Sequence, residues 1–249
     1  YGYSYIDLNQ VRPFTDRPAA DLKASFASHG FTFTNALWPY QAFSARFDQT
    51  IADSQTLGLT HIVCSPRPRL RTSDDWKSLA DELNTYGERM KGSGLQLGYH
   101  NHEIEFVKTA QGDVPWDLLV QATDPTLVKF LLDVGNAAFG GGDPLAVAKR
   151  HMGRVAHIHA KNIRPGIMAE VREQRLSFLE GVRRGVFTVP GDPEGCVDFT
   201  PVLKVAAEHG YQGWLVIEAE QDPLVRDPLK YQMMGLACLK HFAAQAGLS

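Results

Sequence analysis

The chain has 249 residues, of which 44% are hydrophobic and 21% charged, and its formal net charge is −3. This length and balance are typical of a globular protein with one large α/β domain or two small ones. The slightly acidic charge argues against a nucleic-acid partner, because such proteins usually present a basic surface.

The cysteines and the start of the chain indicate its surroundings. Cys64, Cys196 and Cys238 lie far apart and form no CxxC pair, which favours a reduced, cytoplasmic protein. No apolar stretch approaches the roughly 18 residues that a membrane-spanning helix needs, so we expect no membrane association. The first residue is Tyr1, and no signal-peptide features follow it. We therefore expect either a processed chain or a sequence that begins partway through a longer one.

Short apolar runs alternate with amphipathic stretches along the chain. The predicted strands are 5–8, 31–37, 61–64, 95–102, 128–133, 155–161 and 214–218. The predicted helices are 18–29, 42–57, 73–91, 116–122, 143–150, 168–184, 199–208 and 228–246. The remaining stretches of note are a flexible glycine loop at 140–142 and a loop at 186–196.

This alternation predicts a parallel sheet in one α/β domain over residues 1–249, because no linker-like change of composition interrupts it. The seven predicted strands are one fewer than a TIM-type (β/α)8 barrel requires. We expect the first strand and helix to be missing before Tyr1. The exposed parallel edge would then need a partner chain or a rearranged segment to cover it, so a homo-oligomer is one expected assembly.

Ionisable side chains collect where four of the predicted strands end. In a barrel of this type the carboxyl ends of the strands form the active-site face. The residues concerned are His100, His102, Glu103, Glu105, Asp133, His157, His159, Lys161, Glu218 and Glu220. Carboxylates and imidazoles without thiols suit one divalent metal such as Mn²⁺, Co²⁺, Zn²⁺ or Mg²⁺. An internal polar network without a metal is the alternative.

Two pairs of histidines follow the strand period. A strand that runs to residue 102 places His100 and His102 on one face, where they can bind a metal or transfer protons near pH 7. The alternative for this stretch is a pair of hydrogen-bonded core histidines. His157, His159 and Lys161 likewise share one face, and opposite carboxylates would balance their buried charge.

Other stretches indicate function less specifically. Arg67, Arg69 and Arg71 either clamp a phosphate or carboxylate, or form a solvated basic loop. Trp38 ends a strand and either faces a sugar ring or caps the barrel. Asp7 either lines the site or is a turn residue.

Four stretches together resemble the xylose isomerase-like sugar phosphate isomerase/epimerase superfamily. They are Tyr-His-Asn-His-Glu-Ile-Glu-Phe from residue 99, Leu-Leu-Asp-Val-Gly-Asn from 131, His-Ile-His-Ala-Lys from 157 and Val-Ile-Glu-Ala-Glu from 216. The resemblance covers nearly the whole chain. It implies a (β/α)8 barrel with one divalent metal on its C-terminal face, and a strand and helix before residues 2–8.

The C-terminal third is more similar to one branch of that superfamily. Residues 176–182, 185–192 and 213–223 resemble the inosose dehydratases, which eliminate water from a keto-inositol. The stretch from residue 99 is more similar to the general sugar isomerases and keto-sugar lyases. Asn162 stands where the family commonly has aspartate.

The resemblance also implies a metal-ligand set. Asp133, His159 and Glu218 match three metal ligands of the superfamily. The fourth ligand is either Glu105 or His100. Glu105 is favoured because it gives three carboxylates and one imidazole, although His100 lies more directly on the inward face.

The remaining polar residues would act on the substrate. The residues expected to take part in catalysis are His100 and His102, as a proton-transfer pair, and Lys161, as the group that stabilises an enolate. The residues expected to contact the substrate are Trp38, Asn136, His157 and Glu220.

We therefore expect a metal-dependent lyase that removes water from a keto-polyol such as 2-keto-myo-inositol, beginning with loss of the proton next to the carbonyl. The same site would serve a keto-sugar or sugar phosphate isomerase or epimerase. Two further alternatives are a non-catalytic polyol-binding barrel and an apurinic-site endonuclease, which the net charge of −3 disfavours. The expected partner is a small-molecule substrate.

Overall fold

The computed structural model describes residues 2–9 and 17–248 of the chain. The strands are β1 Tyr5–Asn9, β2 Thr32–Trp38, β3 His61–Cys64, β4 Gln96–His100, β5 Val128–Asp133, β6 Val155–His159, β7 Asn162–Ile163, β8 Phe187–Thr188 and β9 Trp214–Val216. The α-helices are α1 Ala19–Ala27, α2 Tyr40–Ala45, α3 Phe47–Leu57, α4 Ser73–Met90, α5 Pro115–Ala122, α6 Val134–Phe139, α7 Pro144–His151, α8 Pro165–Glu173, α9 Phe178–Arg184, α10 Phe199–Glu208 and α11 Pro228–Ala246. Short 3₁₀ helices span Ile104–Phe106 and Met152–Arg154.

Seven of the strands form the main sheet, in the order β1-β2-β3-β4-β5-β6-β9. The pairs from β1 to β5, and the pair β6–β9, run parallel. Helices separate successive strands of this sheet, because a parallel pair needs a long crossover connection. This is the α/β architecture of a TIM-type barrel, so the predicted fold class is confirmed. Strands β7 and β8 form a separate antiparallel ribbon.

The chain divides into two compact units, of which the first comprises residues 1–101 and 108–131. Its longest helix, α4, buries one apolar stripe that includes Trp76, Leu79 and Leu83 at helical spacing. Thr72 caps this helix, because its hydroxyl accepts a hydrogen bond from the backbone N–H of Asp75. The carboxylate of Asp75 in turn accepts a hydrogen bond from the backbone N–H of Thr72. The helix therefore begins at Ser73, which is the predicted start.

One predicted helix of the first unit is two helices in the structure. Residues 42–57 were expected to form one segment, but α2 ends at Ala45 and α3 begins at Phe47. Arg46 between them has φ −128° and ψ 34°, which is not helical. The apolar period continues across this break, so hydrophobicity alone does not reveal it.

The second unit comprises residues 102–107 and 132–249. Its β7–β8 ribbon contributes Ile163 and Phe187 to a small hydrophobic core that also contains Val186. The buried guanidinium of Arg164 donates to the backbone oxygens of Gly185 (2.6 Å) and Phe187 (3.0 Å), which ties the ribbon together. The ribbon lies partly within residues 186–196, which the sequence pattern had assigned to a loop.

The predicted helix 168–184 is also interrupted. The structure has α8 and α9 in its place, separated by a turn in which Arg175 has a left-handed backbone with φ 50°. Ser177 then begins a new helix, since its side chain accepts from the N–H of Glu180 at 3.2 Å. None of the helices in the described ranges is long and apolar enough to cross a membrane.

Candidate active site

The end of β4 differs from the predicted strand. The strand stops at His100, two residues before the predicted end. The backbone N–H of His102 donates to Oε2 of Glu105 (2.9 Å), and a 3₁₀ turn follows at Ile104–Phe106. His102 therefore lies in a turn, and strand alternation does not place it on one face with His100. The side chain of Glu105 is fully buried at this turn.

Asp133 connects the end of β5 to a helix that the sequence analysis missed. Its side chain caps α6 by accepting from the N–H of Asn136 at 2.7 Å through Oδ1. The other oxygen, Oδ2, lies 3.0 Å from Nζ of Lys161. Asp133 is completely buried. One carboxylate thus fixes the local backbone and faces a cation at the same time.

The glycines after α6 are closely packed. A Cβ atom on Gly140 would lie 2.3 Å from the carbonyl oxygen of Glu103, and one on Gly142 would lie 2.6 Å from the ring of Phe106. Glycine is therefore needed at both positions because the turn at residues 103–106 approaches them. Residues 140–142, which the sequence predicts as a flexible loop, are instead packed closely against the turn at residues 103–106.

His159 and Glu218 come together from neighbouring strands. In the parallel pair β6–β9, His159 is level with Val216, and Glu218 follows two residues later. Nδ1 of His159 lies 3.1 Å from Oε2 of Glu218. His159, Asp133 and Glu218 each offer one ligand atom, and these atoms lie within 4.8 Å of one another. Within the described part of the second unit, Glu105 is not a member of this group.

Lys161 is the cation of the site and is almost fully buried. Its Nζ lies 3.0 Å from Oδ2 of Asp133, 3.1 Å from Oε2 of Glu218 and 2.9 Å from Oε2 of Glu220. Burial alone would lower the pKa of Lys161, but these three carboxylates together raise it well above its ordinary value. The side chain is therefore a permanent positive charge at neutral pH.

Two residues that the sequence analysis did not select make room for this lysine. A Cβ atom on Gly135 would lie 2.7 Å from the carbonyl oxygen of Lys161 and 2.8 Å from its Cγ. Phe187 lies in β8, and the centroid of its ring is 4.9 Å from Nζ of Lys161. Nothing in the local sequence at residue 187 distinguishes this phenylalanine from an ordinary core residue.

Glu103 is a further acid of this site. Burial raises its pKa above the ordinary value, and the negative charge of Glu220 raises it further, while Lys161 opposes the shift. A glutamate of this kind is more easily protonated than one in water. Its position near a strand end is visible in the sequence, but the sequence indicates no role for it.

The remaining candidate residues have definite positions. Asn136 and His157 are buried, and Oδ1 of Asn136 lies 3.4 Å from Nζ of Lys161. Trp38 ends β2, and its buried Nε1 has no hydrogen-bond partner within residues 2–9 and 17–248. Arg67 is paired with Glu82 and donates to the backbone oxygen of Asp75, so it is engaged within its own unit.

Asp7 lies in β1, where its carboxylate accepts a hydrogen bond from the hydroxyl of Thr34 on the neighbouring strand. It is therefore a strand residue rather than a turn residue. His102 is in edge-to-face contact with Phe178, with ring centroids 6.0 Å apart. Asp7 belongs to the first unit, and His102 and Phe178 belong to the second.

Comparison with known proteins identifies the family. The model of the xylose isomerase-like TIM barrel family matches residues 1–241. The chain belongs to this family. A rhizopine catabolism protein, MocC, from Rhizobium meliloti is 36% identical over 268 residues, which cover 99% of this chain and 79% of that protein.

Two further comparisons describe the relatives. An inosose dehydratase from Clostridium botulinum is 42% identical over 171 residues, which are 69% of this chain and 56% of the enzyme. This chain thus spans about half the length of the inosose dehydratases that it matches. A crystal structure of a sugar phosphate isomerase/epimerase from Parabacteroides distasonis superposes with a TM-score of 0.73 at 22% identity, covering 98% of this chain and 85% of that one.

Proposed function

We propose that this protein is a divalent-metal-dependent dehydratase acting on a keto-polyol such as 2-keto-myo-inositol. The observation that carries the proposal is the buried ammonium of Lys161 beside Asp133 and Glu218, because elimination next to a carbonyl needs a fixed positive charge where negative charge develops. The identity to an inosose dehydratase supports the choice of reaction.

The metal would be held by Asp133, His159, Glu218 and a fourth residue. Mixed carboxylate and imidazole donors without a thiol fit Mn²⁺, Co²⁺, Zn²⁺ or Mg²⁺, so the donor set agrees with a divalent ion. A bound ion of this kind would polarise the substrate ketone and acidify the neighbouring C–H bond.

We propose His100 for the fourth ligand, in place of the expected Glu105. In the pairing of β4 with β5, His100 is level with Leu131 of β5. Asp133 lies two residues after Leu131 in β5. Among the residues that the structure describes, Glu105 is not a member of the group formed by Asp133, His159 and Glu218. The carboxylate of Glu105 instead accepts from the N–H of His102 and supports that turn.

His102 is then the base that removes the proton next to the carbonyl. The electron pair of the broken C–H bond moves into the carbonyl group and forms an enolate, whose negative oxygen Lys161 stabilises. The enolate electrons then restore the carbonyl and form a C=C bond as the C–O bond at the β carbon breaks, and the hydroxyl leaves as water with the proton from the His102 imidazolium. The balance is loss of one water from the substrate.

The substrate contacts follow from the buried polar groups. We propose that Asn136 and His157 bind hydroxyl groups of the polyol, and that the indole of Trp38 faces its carbon ring. Glu220 contributes by holding the ammonium of Lys161, from which its Oε2 is 2.9 Å away.

An isomerase or epimerase is the second candidate, which the sugar phosphate isomerase/epimerase structure supports at the level of the fold. The first step would be the same proton removal. The outcome differs because the proton returns to carbon and no C–O bond breaks.

The test is incubation of the purified protein with 2-keto-myo-inositol and Mn²⁺ or Co²⁺, following the absorbance of an enone or diketone product. Glu218→Gln should abolish the signal, whereas Glu208→Gln, on the exposed end of α10, should retain it. Deuterium exchange into the substrate without elimination, with metal bound, would overturn the dehydratase in favour of the isomerase.

A further inference from the structure

A row of ring contacts connects the imidazole of His102 to the ammonium of Lys161 in the second unit. The ring of His102 lies edge-on to Phe178 at 6.0 Å between centroids, with an interplanar angle of 65°. Phe178 contacts the ring of Phe187 at 5.3 Å, and the centroid of Phe187 lies 4.9 Å from Nζ of Lys161. Phe178 and Phe187 thus lie between the imidazole and the ammonium, and Phe178 is the one that contacts His102.

The chain places Phe178 there by a specific local structure. The residue opens α9, directly after the Ser177 cap, and packs on Phe139 of α6 at 6.0 Å as well. Its neighbour Leu179 is 56% exposed, so the helix turns Phe178 inward and Leu179 outward. The interrupted 165–184 segment therefore delivers one aromatic ring to the site.

The position of His102 explains why such a ring is needed. His102 lies in a turn after β4 rather than in the strand, so the sheet does not fix its side chain. An imidazole that must meet a C–H bond loses efficiency when its ring can rotate away from the substrate. Edge-to-face contact with an aromatic ring restricts that rotation, because the geometry of such pairs is directional.

We propose that Phe178 is a positioning residue, which holds the imidazole of His102 in its orientation relative to Lys161. The proposal rests on the proposed function, because the proposed function assigns His102 as the base. Phe178 itself touches none of the proposed metal ligands in the contacts described above, so its role is separate from metal binding.

The first experiment compares Phe178→Leu and Phe178→Tyr with the control Leu179→Ala. Loss of the ring in Phe178→Leu should lower kcat about tenfold with KM unchanged, since a positioned base contributes about 10²–10⁴-fold to a rate. Phe178→Tyr keeps the ring edge and should retain most of kcat, and Leu179→Ala should behave like the parent protein. A Phe178→Leu variant with full kcat, or with KM and kcat changed in parallel, would overturn the proposal.

The second experiment does not depend on the reaction. The ring protons of His102, assigned by NMR through the loss of their signals in His102→Gln, should shift in Phe178→Leu, because the ring current of Phe178 is removed. Leu179→Ala should leave them in place. An unchanged His102 signal would overturn the proposal, whereas a shifted signal in a protein that dehydrates no keto-polyol would overturn only the proposed function.

Discussion

Lys161 and Asp133 form an ion pair of 3.0 Å in which the side chains are 1% and 0% exposed. Neither charge is exposed to solvent, so Asp133 depends on Lys161, and Lys161 is also balanced by the carboxylates of Glu218 and Glu220. The pairing also joins two roles, because the second oxygen of Asp133 caps α6. The structure of this part of the second unit and the charge of the site therefore depend on each other.

Replacing Lys161 by methionine should destabilise the protein by about 3 kcal/mol, because removing one partner leaves buried carboxylates without a cation. Urea unfolding measured without added metal gives the difference. Lys204→Met, at an exposed position of α10, is the matched control and should change little. A Lys161→Met protein as stable as the control would contradict the assigned burial cost. Added Mn²⁺ should recover part of the loss, since it supplies positive charge to the same carboxylates.

The sequence indicated which residues lie at these strand ends better than it indicated the contacts between them. Lys161, Asp133, Glu218 and His159 could be selected because strand ends in a parallel barrel share one edge. The contacts that these residues make could not be predicted in the same way. Asp133 as a helix cap depends on α6, a six-residue helix whose glycine and alanine content gives little apolar period.

Gly135→Ala should destabilise the protein by roughly 1–3 kcal/mol, the usual cost of forcing extra volume into a packed region. The added methyl would lie 2.7 Å from the backbone oxygen of Lys161, and backbone cannot move aside as a flexible side chain can. Gly153→Ala is the control, because no atom lies within 4 Å of its added Cβ. Equal unfolding midpoints for the two variants would show that the Lys161 segment yields easily.

Glu103→Gln should raise stability slightly at neutral pH. Burial, with help from the charge of Glu220, raises the pKa of Glu103 in the folded state, so the ionised side chain costs the folded protein free energy. Glutamine removes that cost. The gain is present above the raised folded-state pKa and disappears as the pH falls below the ordinary value of 4.5, where glutamate is neutral in both states.

The measurement for Glu103 is the urea midpoint of the two proteins from pH 4 to pH 8. The difference between them should widen as the pH rises. Glu208→Gln, at an exposed position of α10, is the matched control. A Glu103→Gln protein that is less stable than the parent at pH 8 would mean that the carboxylate is favourably paired there.

The order of strands and helices was predictable, whereas their interruptions were not. The apolar period identifies a helix over 42–57 and over 168–184, but each contains a break. At residue 175 the break comes from a left-handed arginine, which no composition rule favours. The shortened β4 has a local cause that hydrophobic alternation does not reveal, because the carboxylate of Glu105 accepts a hydrogen bond from the N–H of His102.

Asp133→Asn should separate the two roles of Asp133. Asparagine is as good a helix cap as aspartate, so α6 should remain and the unfolding midpoint should fall only through the lost ion pair. The affinity for Mn²⁺, measured by isothermal titration calorimetry, should fall by at least ~10²-fold, because outer partners of a metal already contribute 10–100-fold. Asp198→Asn, which alters the exposed cap of α10, should bind Mn²⁺ like the parent protein. Unchanged Mn²⁺ affinity in Asp133→Asn would remove Asp133 from the proposed ligands, and with it the reason for a metal at this strand end.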